Sequence, residues 1–413
     1  MGGGGTSLDD IMRSLGIPPH QSPSKRAPAA DSPASASSGA DERSGRLYKC
    51  HPGPWGDLEY YYIYLQAPAA LVARFPMPNS VPKWSFPGWS IEQIRALFDK
   101  AELSKVFQEK MMDPNRVVNE ENVISVFPPL AELEGMTDAQ RTTIYEQLSQ
   151  YDDNEFYKEP VLLTSNDFDD WLRGTNIRPS LAAKIQKYLY KRNDVLMLSD
   201  LAALLNYMQS DQEARDFQQF MTRTRAVMVR LQLHSGADLK GLSAYWGDHG
   251  QRNQDIQPLL EASANTEGVS SIDVTHLLPP LVRKNLYSYP TVDMALLGRI
   301  PDCHWSSLNF FNTHPKDYYL NTRLAAEQVV DNYEKVSEPY QFGDVLMFVD
   351  PKSGSAVHSC TFIADDIVYT KNGENLVTPW VLMKLNEVKR QYFFSMDGVV
   401  QGYRLKSPMT PNG

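Results

Sequence analysis

Residues 343–373 read GDVLMFVDPKSGSAVHSCTFIADDIVYTKNG, and this stretch decides the fold. β-Prone runs at 345–349, 356–363 and 367–370 are separated by the turn-forming clusters DPKSG and ADD and followed by KNG. Connections that short allow only hairpins, so the runs predict an antiparallel sheet. One of the strands carries a lone histidine, His358.

Working outward, PDCHWSSLNFFN at 301–312 places Cys303 at the start of a short predicted helix. Trp305, Leu308 and Phe311 recur three apart, and NTHP ends the helix. A second helix or irregular crossing is expected over 320–336. After the sheet, a helix around 380–387 and two short strands, QYFF and VVQGYRL, complete a unit spanning 270–413. A helix followed by an antiparallel sheet is an α+β layout.

Toward the N-terminus, residues 237–270 turn rich in Gly, Asp and Asn, which predicts a domain boundary. Before it, 47–265 reads as a mainly helical module with a small β part. LEYYYIYL at 58–65 is β-prone, and Trp84, Phe86 and Trp89 follow in a Pro-punctuated extended segment. Ser90 with Gln93 and Thr137 with Gln140 have capping-box spacing. Further helices are expected in SNDFDDWLRG, PSLAAKIQKYLYKR and SDLAALLNYMQ, the last capped by Ser199. Val227, Val229, Leu231 and Leu233 alternate with polar neighbours and Met228, as in a strand. Residues 1–46 are expected to be a disordered tail, because 18–45 hold almost no bulky apolar side chain. The opening MGGGGTS fits a myristoylation pattern, but a glycine run reads more simply as a flexible leader. No secretion signal is visible.

Composition narrows the function. The 413 residues, 42% of them hydrophobic, can form a sizeable core in two or three units. A formal charge of −10 argues against nucleic acid as a partner, since phosphate binding needs a basic surface. No run approaches the roughly 18 apolar residues of a membrane span. Three cysteines are too few for a disulfide framework, and their odd number leaves one free for chemistry. Cys50 and Cys360 read as small buried hydrophobes.

A cysteine attacks a carbonyl as thiolate, which a helix N-terminus and a nearby imidazole both favour. Cys303 has the first by position and is the candidate nucleophile. His358, on a strand of the sheet facing that helix, is the candidate general base. A third group should orient the imidazole. Thr370, Lys371 and Asn372 lie one hairpin on, and Asn372 is the best chemical match because its carbonyl can accept the ring N–H.

Asp302 with Cys303, then Gly343, Asp344 and Phe348, then His358 followed by Phe362 and Ile363, resemble in order the motifs of NlpC-type cell-wall peptidases, compact relatives of papain. The resemblance covers roughly the last 130 residues. It departs at His304 and Trp305, where the family commonly has Ser-Gly, and this makes the pocket floor bulkier. The resemblance implies a papain-like thiol hydrolase of an amide or ester bond, with a peptide or peptidoglycan-like substrate, no cofactor, a bacterial source, and a place at the cell envelope or outside the cell. Backbone N–H groups near the helix start, with Tyr287 or Tyr289, would then stabilise the oxyanion.

Two other classes remain open. Cys303, His304, His358 and Cys360 could form a two-Cys, two-His zinc set. Alternatively, the chain is an inactive binding or scaffold protein, since Trp84, Trp89, Trp171 and Trp246 lie in a region without a catalytic constellation.

Overall fold

The computed structural model describes residues 42–74, 79–234, 236–247 and 252–406. The glycine-rich start and most of the expected tail lie outside the described residues. The chain divides into two compact units, one made of residues 1–67 with 224–413 and the other of residues 68–223. Both helices and antiparallel sheets are present, so the class is α+β.

This division differs from the expected one, a module at 47–265 and a domain from 270, and strand pairing is the reason. LEYYYIYL forms the strand Leu58–Leu65 and pairs along its whole length with Thr224–Gln232, a partner some 160 residues away in sequence. Tyr60, Tyr62, Val227, Val229 and Leu231 are buried in one shared cluster. Tyr48–Lys49 and Ser271–Asp273 flank this pair to complete a four-stranded antiparallel sheet. The first unit is thus closed by both ends of the chain. The Gly- and Asp-rich stretch expected as a boundary instead holds the helices Leu239–Trp246 and Asn253–Asn265. Its Asp238 caps the first of them, accepting from Gly241 N at 2.9 Å. Trp246 is therefore a core residue of this unit, with its indole N–H on the Trp55 carbonyl.

The expected tail also ends earlier than residue 46. Glu42 is buried and its carboxylate accepts from the hydroxyls of Tyr60 (2.9 and 2.8 Å) and Tyr62 (3.0 Å). The Arg225 guanidinium stacks over Tyr62 and donates to the Glu42 carbonyl and to the buried Glu387.

The second sheet of this unit has six antiparallel strands in the order Tyr333–Val336, Val399–Leu405, Val345–Val349, Ala356–Ala364, Ile367–Lys371, Trp380–Lys384. The helix expected around 380–387 is a strand up to Lys384, and the helix is Leu385–Phe393, which absorbs most of the QYFF predicted as a strand. WVLM is apolar at every position and so carries no period to distinguish the two conformations. Pairing with Ile367–Lys371 settles it, and both strands are buried throughout. The crossing at 320–336 resolves into the helix Thr322–Asn332 and the strand Tyr333–Val336.

Gly343 and Asp344 have structural work at the head of the central strand. Gly343 has φ +90°, and a Cβ there would lie 2.2 Å from the Phe311 ring. Asp344, buried, accepts both Arg404 Nε (2.8 Å) and Nη2 (2.7 Å), and also Gln341 N (2.8 Å). This fork ties the strand Val345–Val349 to Val399–Leu405.

The second unit combines helices with two three-stranded antiparallel sheets, ordered Trp84–Pro87, Val123–Val126, Val117–Glu120 and Val161–Leu163, Val195–Leu198, Tyr190–Arg192. Both expected capping boxes are formed, on Ile91–Lys100 and Asp138–Leu148. Ser199 is not a cap: the helix is Leu201–Leu205, and Ser199 bonds the Tyr190 hydroxyl. The neighbouring Asp200 is fully buried and accepts from Arg141, from Tyr145 OH at 2.6 Å and from Tyr157 OH at 3.1 Å, while Trp84 donates to Tyr157. Asp200→Ala would leave the Arg141 charge buried without its counter-ion, at a cost of about 3–5 kcal/mol. A urea-unfolding series should show this as a lower midpoint, with Asp200→Asn less affected.

Among the described residues no helix is long and apolar enough to cross a membrane.

Candidate active site

Cys303 is the first residue of the helix Cys303–Leu308. Asp302 caps it, with Oδ1 accepting from Trp305 N at 2.6 Å. The helix is pinned to the six-stranded sheet from two sides. Trp380 Nε1 donates to Ser306 Oγ (2.9 Å), and Ser359 Oγ donates to Ser307 Oγ (3.2 Å). These bonds hold the sulfur against the strand that bears His358. Cys303 is 7% exposed and His358 is fully buried.

The His358 ring is fixed on all sides. It stacks on Tyr392 with centroids 3.9 Å apart and planes at 14°, and meets Phe348 edge-on at 5.2 Å. Nε2 lies 3.0 Å from Thr370 Oγ1. That hydroxyl donates its own proton to Asn372 Oδ1 at 2.8 Å, so toward the imidazole it can only accept. Asn372 is oriented in turn, its amide donating to Gln391 Oε1 (2.9 Å) and the Met383 sulfur (3.2 Å). Proton counting along this chain places the imidazole hydrogen on Nε2 and leaves a lone pair on Nδ1. Nδ1 is buried and makes no complete hydrogen bond among the described residues. The Cys303 sulfur and the His358 ring nevertheless act on one another by charge.

The acceptor of the ring N–H is therefore Thr370, and Asn372, expected in that role, stands one hydroxyl behind it. The two lie on one face of the strand end, as residues two apart do. Lys371 projects the other way. Its Nζ donates to the carbonyls of Gly373 (2.6 Å) and Asn375 (3.1 Å), and burial pushes its pKa down to about 8. Thr370→Val would strand a buried imidazole N–H. The expected effect is a fall of about 10- to 100-fold in kcat with KM nearly unchanged, corresponding to roughly 1.5–3 kcal/mol.

His304 is the residue that sequence reasoning missed. Its Nδ1 is 3.0 Å from Ser359 Oγ, whose proton is committed to Ser307, and the charge of the Cys303 sulfur acts on the ring. Its partners are thus acceptors, the surroundings of an imidazolium. Burial works against the charged ring, but the Cys303 sulfur, with Asp302 and the Ala356 carbonyl, outweighs it and holds the pKa at about 9. The sulfur responds reciprocally: burial opposes its ionisation, yet His304 and His358 together bring the thiol well below its ordinary range. Burial, and secondarily the His304 charge, lowers the pKa of His358 despite the opposing pull of Cys303, favouring the neutral ring. The only sequence signal for His304 was its adjacency to Cys303.

The other thiols differ. Burial pushes Cys50 up to about 12 and raises Cys360 well above its normal value. Cys303, His304, His358 and Cys360 do not gather as a metal set: among the described residues no three His, Cys, Asp or Glu side chains are placed to share a cation. Tyr287 is engaged elsewhere, its hydroxyl donating to the Val227 carbonyl at 2.6 Å. Tyr289 has a buried hydroxyl with no partner among the described residues, and it lines a cleft with Pro301 and Trp305.

No protein-family model, curated protein or solved structure matches the chain.

Proposed function

We propose that the unit formed by residues 1–67 and 224–413 is a papain-like thiol hydrolase, with Cys303 as nucleophile, His358 as general base, and Thr370 and Asn372 positioning that base. The observation that carries this reading is one sulfur, at a helix start, flanked by two imidazoles in opposite protonation preferences. In the resting site the thiolate of Cys303 faces the His304 imidazolium. The sulfur attacks the carbonyl carbon, and the oxyanion is met by first-turn N–H groups. Trp305 N is already taken by Asp302, while the N–H groups of Cys303 and His304 have no acceptor within the helix. The C–N or C–O bond breaks as the leaving group takes a proton from the imidazolium, giving a thioester. Water then gives a proton to the Nδ1 lone pair of His358 and attacks the thioester, the C–S bond breaks to return the thiolate, and the proton passes from His358 to His304 to restore the resting imidazolium. A peptide or peptidoglycan-like amide at the cell envelope is the substrate that the likeness to NlpC-type peptidases suggests.

p-Nitrophenyl acetate tests the chemistry without knowledge of the substrate. The expected result is a burst of about one p-nitrophenol per chain, with an acetyl group mapped to Cys303. Absence of both burst and adduct would remove the proposal. A second reading, a binding protein that keeps the fold without the reaction, is favoured by the burial of the pair. It predicts no burst together with slow alkylation of Cys303.

A further inference from the structure

The first unit contains a cleft of about 730 Å³ that plays no part in the chemistry above. Its size falls in the range of small-molecule sites. Met294, Leu297, Trp305 and Trp380 give it apolar and aromatic walls. Leu297 lines it while remaining 68% exposed, which puts apolar surface at its lip. Two of its lining side chains carry a buried hydrogen-bonding atom without a partner among the described residues: the indole N–H of Trp305, a side chain only 5% exposed, and the Tyr289 hydroxyl. An unpaired buried donor costs about 1–3 kcal/mol. An indole N–H can only donate, and burial raises the pKa of Tyr289 so that its proton stays on. Both therefore await an acceptor oxygen. Lys284 and Arg299 also line the cleft, and Arg299 is partly neutralised by Asp317 at 3.4 Å. The remaining charge is positive.

We infer that this cleft binds a small apolar carboxylate, its chain against Met294, Leu297, Trp305 and Trp380 and its oxygens on Tyr289 and Trp305. The inference does not rest on the thiol chemistry. Trp305 is two residues from Cys303, about 200° around the helix, so the cleft lies on another side of that helix from the sulfur.

Octanoate and acetate are suitable probes, titrated calorimetrically into the full chain. Octanoate is expected to bind at one site and acetate at least roughly a hundredfold more weakly, because six methylenes are lost. Tyr289→Phe should weaken octanoate about tenfold by removing one donor. Met294→Trp should abolish binding by filling the cleft. Leu297→Glu alters an exposed side chain that folding does not need, and should weaken octanoate at least tenfold by like-charge repulsion. Failure of octanoate to bind up to millimolar concentration, equal binding of acetate, or unchanged affinity in Leu297→Glu and Met294→Trp would each overturn the inference.

Discussion

Cys303→Ala protein is expected to hydrolyse p-nitrophenyl acetate at least about 10³-fold more slowly than the unaltered chain, because a nucleophile cannot be replaced by its neighbours. The fold should survive, since alanine removes only the sulfur and Asp302 still caps the helix through Trp305 N. The same variant carries a second, independent readout. Burial lowers the pKa of His304, and the value of about 9 depends on the Cys303 charge overcoming that effect. In Cys303→Ala the His304 ring, followed by NMR, should therefore titrate well below 9. A wild-type value that does not move would mean the sulfur carries no charge in the resting protein.

His358→Ala is the second large effect. Removal of a positioned general base costs typically 10²–10⁴-fold, and the loss should fall in kcat. Deacylation should suffer more than acylation, because the His304 imidazolium still balances the thiolate while nothing replaces Nδ1 as the acceptor of the water proton. The acetyl thioester on Cys303 should then accumulate and persist, which mass spectrometry reads directly. Equal loss in both half-reactions would instead indicate that His358 only packs against Phe348 and Tyr392.

The pH dependence follows with a defined sign. A thiol brought well below its usual value is ionised at neutral pH, so acylation should hold a plateau there and fall only on acidification. On the alkaline side the limit is His304. Above about 9 it loses the proton that the leaving group needs, and amide hydrolysis should decline while alkylation of Cys303 does not.

How much of this was legible in the sequence depended on the range of the interaction. The helix start at Cys303, the capping boxes of Ser90 and Thr137, and the alternation of Val227, Val229 and Leu231 are local, and the chain spells them out. The hairpins around His358 follow from turn chemistry. What stayed hidden was set by distant partners. The pairing of Leu58–Leu65 with Thr224–Gln232 leaves no mark near either strand, so the two segments were assigned to a domain other than the one they help to build. Glu42 looked like tail because nothing beside it announces that Tyr60 and Tyr62 lie above it. At the site, Cys303 and His358 were legible as residue types in an order. Thr370, Lys371 and Asn372 could be ranked only by chemistry, and Asn372 ranked first because its carbonyl can accept the ring N–H without adding charge; in the structure the Thr370 hydroxyl is the group that meets the ring. His304 was read only as bulk or as a zinc ligand, since its part beside the sulfur depends on Ser359 arriving next to it from the sheet.

The central claim is that the Cys303 sulfur rests as a thiolate held by two histidines. Alkylation of the native protein by iodoacetamide between pH 5 and 10, with modified cysteines mapped by mass spectrometry, tests it most directly. Cys50 and Cys360 serve as internal controls because burial raises both. The account predicts rapid labelling at Cys303 alone at neutral pH, with a midpoint that rises in His304→Ala or His358→Ala and passes above the ordinary thiol value of about 8.5 when both are replaced, because burial then acts unopposed. A wild-type midpoint already near 8.5, unmoved by either substitution, would contradict it.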